Sequence, residues 1–234
     1  MFYAFLKEGH HLYFDKEESF HCIKVLRHQA GDIILATDGK GAKYKAIILQ
    51  ADQNQCILEV TQVVEIEILK KPLVHIAISP TKNIDRLEWF LEKAVEIGVN
   101  QITLLTCKRS ERKNVKEERF QKIAISAMKQ SLRHWLPTLN TLTKCTEFFK
   151  IPFSNQNKYI CHCQHHTLPL LKNIMQLNQD AIILIGPEGD FSNDEIEDAE
   201  KNGYVSVSLG NARLRTETAG IVAVHTFQML NSFN

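Results

Sequence analysis

No run of apolar residues in this chain approaches the roughly 20 that a helix needs to span a bilayer, so nothing in the sequence reads as a membrane helix. The N-terminal stretch MFYAFLKEGHHLYF lacks the basic leader and long apolar centre of a secretory signal, and a cytoplasmic protein is expected. Internal repeats and low-complexity segments are missing too, which sets aside repeat arrays and compositionally disordered chains. Net charge is scarce, at +1, and argues neither for nor against a polyanionic partner. The six cysteines (Cys22, Cys56, Cys107, Cys145, Cys161 and Cys163) are scattered, with no sign of an oxidising compartment, so reduced thiols are expected. Thiols and imidazoles gather in CHCQHH (161–166), but its C-x-C spacing is tight and no second Cys/His pair stands at finger-like distance. A strand end entering a loop is the preferred reading there, and no metal site is assigned. Two nucleotide motifs are absent as well: there is no G-x-x-x-x-G-K-[ST], and no loop near the C-terminus has G-x-G-x-x-G spacing.

What is present is an ordinary globular composition, 44% hydrophobic and 24% charged over 234 residues, enough for one large domain or two smaller ones. Residues 1–71 read as a small, mainly β unit. Phe2–Leu6 is a short strand, and Glu17–Arg27 has helical spacing through Phe20, Ile23, Val25 and Leu26. Gly31–Ala36 leads into Asp38-Gly39, a hairpin turn signal, and Tyr44–Leu49 and Cys56–Val64 complete a meander. Lys70-Lys71-Pro72 punctuates the chain, and the domain boundary is placed there, giving units 1–71 and 72–234. Beyond it the pattern is strand Leu73–Ile78, helix Asp85–Ile97, strand Gln101–Thr106, helix Glu117–Leu132 and strand Tyr159–His162. Asp85 with Glu88 reads as an N-cap and N3 pair, and Gly98 as the stop. Alternation of this kind predicts an α/β fold with a parallel sheet covered on both faces.

Two segments near the C-terminus carry the strongest signal, IGPEGDFSNDE (Ile185–Glu195) and LGNARLRTETAG (Leu209–Gly220). Each is an apolar run that breaks into a Gly-containing turn and then opens a helix. Ala181–Ile185 is a continuous apolar run, as a strand buried on both faces should be. Gly186-Pro187 ends it, and Ser192 with Glu195 forms a capping box. Val205–Leu209 repeats the plan, with a stop at Gly210 and a helix from about Thr216. Paired strand-to-loop junctions make a crevice at the carboxyl ends of a parallel sheet, where open α/β folds bind ligands. From Asp180 to Glu217 nine acidic residues stand against three basic ones, which suits a ligand with a positive centre and hydroxyls better than a polyphosphate. Helix capping accounts for Asp194 and Glu195 among them.

These residues resemble the SPOUT-class RNA methyltransferases, which have a deep trefoil knot, and within them the RsmE type that methylates uridine N3 in small-subunit (16S) ribosomal RNA. The resemblance extends upstream through TKNIDRLEWFLEKAVEIGVNQI (Thr81–Ile102), CKRSER (Cys107–Arg112) and QSLRHWLP (Gln130–Pro137), and so covers most of residues 73–230. It implies a PUA-like, RNA-binding β-barrel at the N-terminus and a knotted C-terminal half. It also implies S-adenosyl-L-methionine as cofactor, held by His162, Ile185, Gly186, Pro187, Glu188, Gly189, Leu209, Gly210, Leu214, Arg215, Thr216, Glu217, Thr218 and Ala219, with His165 and His166 as further candidates beside His162. The barrel segment carries nine basic residues against ten acidic, so its charge gives the RNA role no support and a spacer is the competing reading. Gly189-Asp190 departs from the expected pair of glycines. That departure is the one support for an alternative, a non-catalytic RNA- or ribosome-binding module with a decayed pocket. Ribose 2′-O methylation is a second alternative.

Uridine N3 is protonated near neutral pH, so its methylation requires a base or a cation that stabilises the anion. Arg215 is the candidate for electrostatic stabilisation, and Glu217 for proton acceptance or loop support. The substrate expected is ribosomal RNA or the small ribosomal subunit. Between Lys108 and Arg133 nine basic residues face three acidic ones, with Lys82, Arg86 and Lys93 adding to that side. Such segregation is the footprint of a phosphate-binding surface. Arg109, Arg112 and Arg133, with Lys82 and Arg86, are the RNA-binding candidates, whereas Lys113, Lys116 and Lys122 read as a solvated helix face. No aromatic platform for single-strand readout is visible. The final helix, Glu217–Leu230, has little polar face, and a helix of that kind must be buried on most sides. A homodimer through this helix is expected, with Phe227 and Val224 as interfacial positions.

Overall fold

A computed structural model describes residues 1–153, 156–164 and 167–231. His165 and His166 lie outside the described residues. The chain forms two compact units, Met1–Leu69 with Ile125–Leu136, and Lys70–Ala124 with the chain from Pro137 onward.

The first unit carries strands β1 (Phe2–Tyr3), β2 (Leu6–Glu8), β3 (His11–Tyr13), β4 (Ile33–Thr37), β5 (Ala42–Gln50) and β6 (Ile57–Ile66). They form one sheet in the order β1-β4-β5-β6-β3-β2. β1 runs parallel to β4 and the other neighbours are antiparallel. Alternate side chains point inward along β4 and β5, and Phe2, Leu12, Phe14, Ile34, Tyr44, Ile48 and Leu58 form one buried core. The Asp38-Gly39 turn joins β4 to β5 as predicted. Phe2–Leu6, however, is divided between β1 and β2, because its two ends pair with different neighbours. Helix α1 (Lys16–Phe20) starts at Asp15, whose carboxylate accepts the Glu18 N–H at 2.8 Å. The regular helix expected as far as Arg27 gives way to a π-helical turn over His21–Val25, which leaves Cys22 fully buried and Phe20, Val25 and Leu26 exposed. Residues distant in sequence complete the unit: Lys129 Nζ meets both Glu18 oxygens at 2.7 Å, and the Trp135 indole donates to the Glu67 carbonyl at 2.7 Å.

The second unit contains β7 (Val74–Ile78), α2 (Ile84–Ile97), β8 (Gln101–Thr106), the start of α3 (Glu117–Gln130), β9 (Thr138–Lys144), α4 (Cys145–Phe148), β10 (Asn157–Cys161), α5 (Leu171–Ile174), β11 (Ala181–Ile185), α6 (Asn193–Lys201), β12 (Val205–Val207) and α7 (Thr216–Asn231). Its sheet has the order β12-β10-β11-β7-β8-β9, parallel throughout. β7 and β11 are buried at every position, which matches their unbroken apolar sequence. Strand β9 has no such signature; its polar pattern, TLNTLTK, suits a partly exposed edge and hides it from a hydrophobicity reading. β12 stops at Val207, and Ser208 makes a single bridge to Leu170. The cap of α2 is Asn83, which accepts from the Asp85 N–H at 3.0 Å, and not Asp85 itself. Gly98 closes that helix in the left-handed conformation, as expected. No helix among the described residues is long and apolar enough to cross a membrane.

Helix α7 packs on α2, β7 and β11 through Gly220, Ala223, Val224 and Phe227. A Cβ at Gly220 would stand 2.5 Å from the Phe90 ring and 3.0 Å from Ile78, so only glycine allows the approach. Phe227 and Val224 are therefore core residues of the same chain, which corrects their placement at an interface. The outer side, with Ile221, Val222 and Met229, stays partly open.

Because every strand points the same way, the segments that follow β7, β8, β9, β10, β11 and β12 share one edge of the sheet. Glu195 ties three of these strand ends together. As N3 of the capping box its Oε2 accepts the Ser192 N–H at 2.8 Å. Oε1 accepts the Lys108 N–H at 2.6 Å and the Cys145 thiol at 3.0 Å. Burial alone would raise this carboxyl, but the donors from Cys145, Ser192 and Lys108 outweigh it and hold it below its ordinary value. A carboxyl depressed in the folded state contributes stability above its unfolded pKa and loses it as pH falls through the folded one. Glu195→Gln is therefore expected to cost about 2 kcal/mol at pH 7, with the gap to wild type narrowing towards pH 3. Urea unfolding at the two pH values checks both.

Candidate active site

Over the β10–β11–β12 half of the carboxyl edge lies a cavity of about 280 Å³. Its walls are the end of β10 (Cys161, His162, Cys163), the turn after β11 (Ile185–Glu188, Asp190) and the segment after β12 (Ser208–Gly210, Ala212–Thr216), with Ala219 of α7. Three local devices shape it. Gly186 allows Phe191 to fold back beneath the turn, since a Cβ there would touch its ring at 3.0 Å. Thr216 Oγ1 donates to the Gly186 carbonyl at 3.1 Å and pins the start of α7 to the end of β11. The segment after β12 is held by Ser208, whose N–H donates to the Pro169 carbonyl while its own carbonyl accepts from Leu171, both at 2.9 Å.

Asp190 occupies the left-handed conformation, φ +64°, that the expected glycine would take most easily. Asp is among the residues that tolerate it. Here the side chain is also used: Oδ1 accepts from the Phe191 N–H at 2.8 Å and Oδ2 from the Cys163 N–H at 2.9 Å. The substitution therefore leaves the turn formed and fastens the end of β10 to it. Cys161 is buried and Cys163 exposed, because β10 ends at Cys161 and the two do not share a face as they would in a longer strand. Burial pushes both thiols up, with Asp190 adding to it, so they are neutral near pH 7.

Of the predicted cofactor residues, His162, Ile185, Gly186, Pro187, Glu188, Leu209, Gly210, Leu214, Arg215, Thr216 and Ala219 line the cavity; Gly189, Glu217 and Thr218 do not. Gly189 instead backs onto the Arg109 side chain, 3.2 Å from where its Cβ would stand. Glu217 is buried, with Oε1 3.8 Å from Arg86 Nε and Oε2 without a hydrogen bond among the described residues. Cys161, Cys163, Asp190, Ser208, Ala212 and Arg213 also line it. Membership of the same two loops was the available signal for Asp190, Ala212 and Arg213.

The basic candidates separate by what they hold. Arg109 donates to the carbonyls of Gly189 and Phe191 at 2.8 and 3.3 Å, bracing the turn after β11. Arg112 donates to the Thr81 and Lys82 carbonyls at 3.1 and 2.7 Å. The Lys82 N–H donates to Glu188 at 2.8 Å and its Nζ lies 2.9 Å from Glu111. Arg86 is turned towards Glu217. Arg133 belongs to the first compact unit. Lys113 and Lys116 precede α3 and are loop residues, not part of a helix face; Lys122 is exposed on the helix.

Comparison with known proteins places this geometry. A family described as the RNA methyltransferase domain matches residues 69–228, and one described as the RNA methyltransferase PUA domain matches 14–61. Ribosomal RNA small subunit methyltransferase E of Buchnera aphidicola subsp. Acyrthosiphon pisum is 30% identical over 93% of this chain and 88% of its own. Among solved structures, a "probable rRNA-methyltransferase" from Porphyromonas gingivalis shares 38% identity with a TM-score of 0.88, covering 99% of this chain and 98% of that one. Ribosomal RNA small subunit methyltransferase E from Neisseria gonorrhoeae, bound to S-adenosyl methionine, superposes with a TM-score of 0.82 at 26% identity over 100% of this chain and 98% of that one. With its fold, its two matched domains and this relationship over nearly the whole length, the chain belongs to the RNA methyltransferase family, in its ribosomal RNA small subunit methyltransferase E branch.

Proposed function

We propose that the protein is an S-adenosylmethionine-dependent methyltransferase acting on N3 of a uridine in small-subunit (16S) ribosomal RNA. The observation that carries the reading is the cavity over β10–β12 in a chain of this family. Its lining fits the cofactor's chemistry. Ile185, Pro187, Leu209, Leu214 and Ala219 offer apolar surface for a flat base, while Glu188 and Asp190 set two carboxylates beside it. Carboxylates suit hydroxyls and a sulfonium cation, and Arg213 and Arg215, which line the same cavity, balance their charge. Bound there, S-adenosylmethionine supplies an electrophilic methyl group. The remaining work belongs to the protein: orientation, exclusion of water and control of charge on the uridine.

Arg215 stands at the cavity wall with an exposed side chain, and we assign it to stabilising the uridine anion that forms as N3 loses its proton. Glu217, buried beside Arg86 and outside the cavity, is assigned to support of the α7 start. The resemblance to knotted enzymes extends, in this reading, to the backbone path. Support for a knot comes from the bonds of Ser208 to Pro169 and Leu171 and of Thr216 to Gly186, which interlace the segments after β10, β11 and β12. The partly open side of α7, with Ile221, Val222 and Met229, supports a homodimer through that helix.

Calorimetry with S-adenosylhomocysteine should show binding at micromolar to millimolar ligand. Digestion of methylated small-subunit RNA to nucleosides should yield 3-methyluridine; a 2′-O-methylated nucleoside would mark the ribose alternative, and cofactor-free RNA binding the non-catalytic one. Arg215→Ala is expected to retain S-adenosylhomocysteine affinity within a few-fold and to lose at least tenfold in turnover, checked by single-turnover methyl transfer. Light scattering at micromolar concentration should give the mass of two chains, and Val222→Asp should shift it towards one.

A further inference from the structure

The other half of the same sheet edge carries a second cavity, of about 410 Å³, that the methyl-transfer reading leaves without a role. It lies between α2 and the loop after β8. Ile84 and Glu88, one helical turn apart on α2, form one wall; Arg112, Asn114, Val115 and Lys116 form the other; Arg119 and Phe120 of α3 close it. Its chemistry divides in two. Ile84, Val115 and Phe120 make an apolar floor, whereas three cations stand at its walls against the single lining carboxylate of Glu88. That carboxylate is already engaged, gripped by Arg119 through both oxygens. Arg112 and Lys116 have no carboxylate partner among the described residues. Arg112 gives two of its five N–H donors to backbone carbonyls, which orients the guanidinium without neutralising it.

An uncharged ligand would have no use for the two cations, and a bare phosphate none for the apolar floor. A nucleotide uses both: the base lies on the floor, the Asn114 amide offers a donor and an acceptor to its edge, and the cations meet the phosphates. Two hydrogen bonds through Lys82 link the wall of this cavity to that of the first. Glu188 in the wall of that site accepts from Lys82, and the Lys82 carbonyl accepts from Arg112 in the wall of this one. We infer that this cleft holds one unstacked nucleotide of the RNA substrate, a neighbour of the methylated uridine, so that the strand runs along the carboxyl edge from β8 towards β11. The inference takes the identity of its ligand from the RNA methyltransferase reading, and its test is independent of turnover.

Uridine 3′,5′-bisphosphate mimics an internal RNA nucleotide and serves as the probe. Titrated into the full-length, isotope-labelled protein, it should shift the amide resonances of Asn114–Phe120 with at least tenfold higher affinity than inorganic phosphate. Val115→Trp, which fills the floor, and Lys116→Glu, an exposed position that leaves the core intact, should each weaken that binding at least tenfold. S-adenosylhomocysteine binding should stay within twofold in both. Shifts confined to residues 186–190 and 209–219 would overturn the proposal, as would equal affinity for inorganic phosphate, which would reduce the cleft to a phosphate patch. Resonance shifts at Asn114–Phe120 in a protein that transfers no methyl group would uphold the cleft and remove the enzymatic reading instead.

Discussion

The buried carboxylate of Glu195 is the constraint on which the loop geometry of the second unit rests. Its two oxygens take up donors from the ends of three different strands: Lys108 after β8, Cys145 after β9 and Ser192 after β11. A carboxylate in that position is costly to bury and is stable there only because its hydrogen bonds are made together. Cys107 and Cys145 sit with it, their sulfurs and a Glu195 oxygen within 4.8 Å of one another. Contact with Cys107, and then burial, keep the Cys145 thiol protonated, so it donates to the carboxylate and does not compete with it. From this anchor Arg109 reaches across to the Gly189 and Phe191 carbonyls, and the turn that walls the first cavity is held from behind.

The two cavities along the sheet edge differ in charge: the first is mixed and the second mainly basic. Glu188 and Asp190 line the cavity over β10–β12 together with Arg213 and Arg215, and Arg112, Lys116 and Arg119 line the one beyond β7 and β8. Lys82 stands between them, its N–H on Glu188 and its carbonyl on Arg112. Outside the two cavities, Arg109 braces the turn after β11 and Arg86 lies beside the buried Glu217.

Much of this is legible in the sequence alone. Unbroken apolar runs marked β7 and β11, the Ser192–Glu195 spacing marked a capping box, and Gly98 marked a helix end, because each depends on neighbours in sequence. The failures share one cause. β9 is polar because it is an edge strand, and the π-helical turn at His21–Val25 answers to packing of Cys22 in the core. The contacts of two RNA-binding candidates, Arg109 with Gly189 and Arg86 with Glu217, leave no trace in the sequence because those partners are distant in the chain.

By itself the sequence determined the order and type of most elements and the two loops that wall the cavity, since periodicity, turn chemistry and capping act over a few residues. It also determined that acid and base are segregated along the chain. Which side of α7 is covered was decided only by the tertiary structure, through the contact of Gly220 with Phe90 that turns Phe227 and Val224 inward. The same holds for the membership of Ile125–Leu136 in the first unit, which depends on Glu18 and Glu67 finding Lys129 and Trp135. Hydrogen bonds and contacts between residues far apart in sequence leave no local pattern, and only the folded chain brings them together.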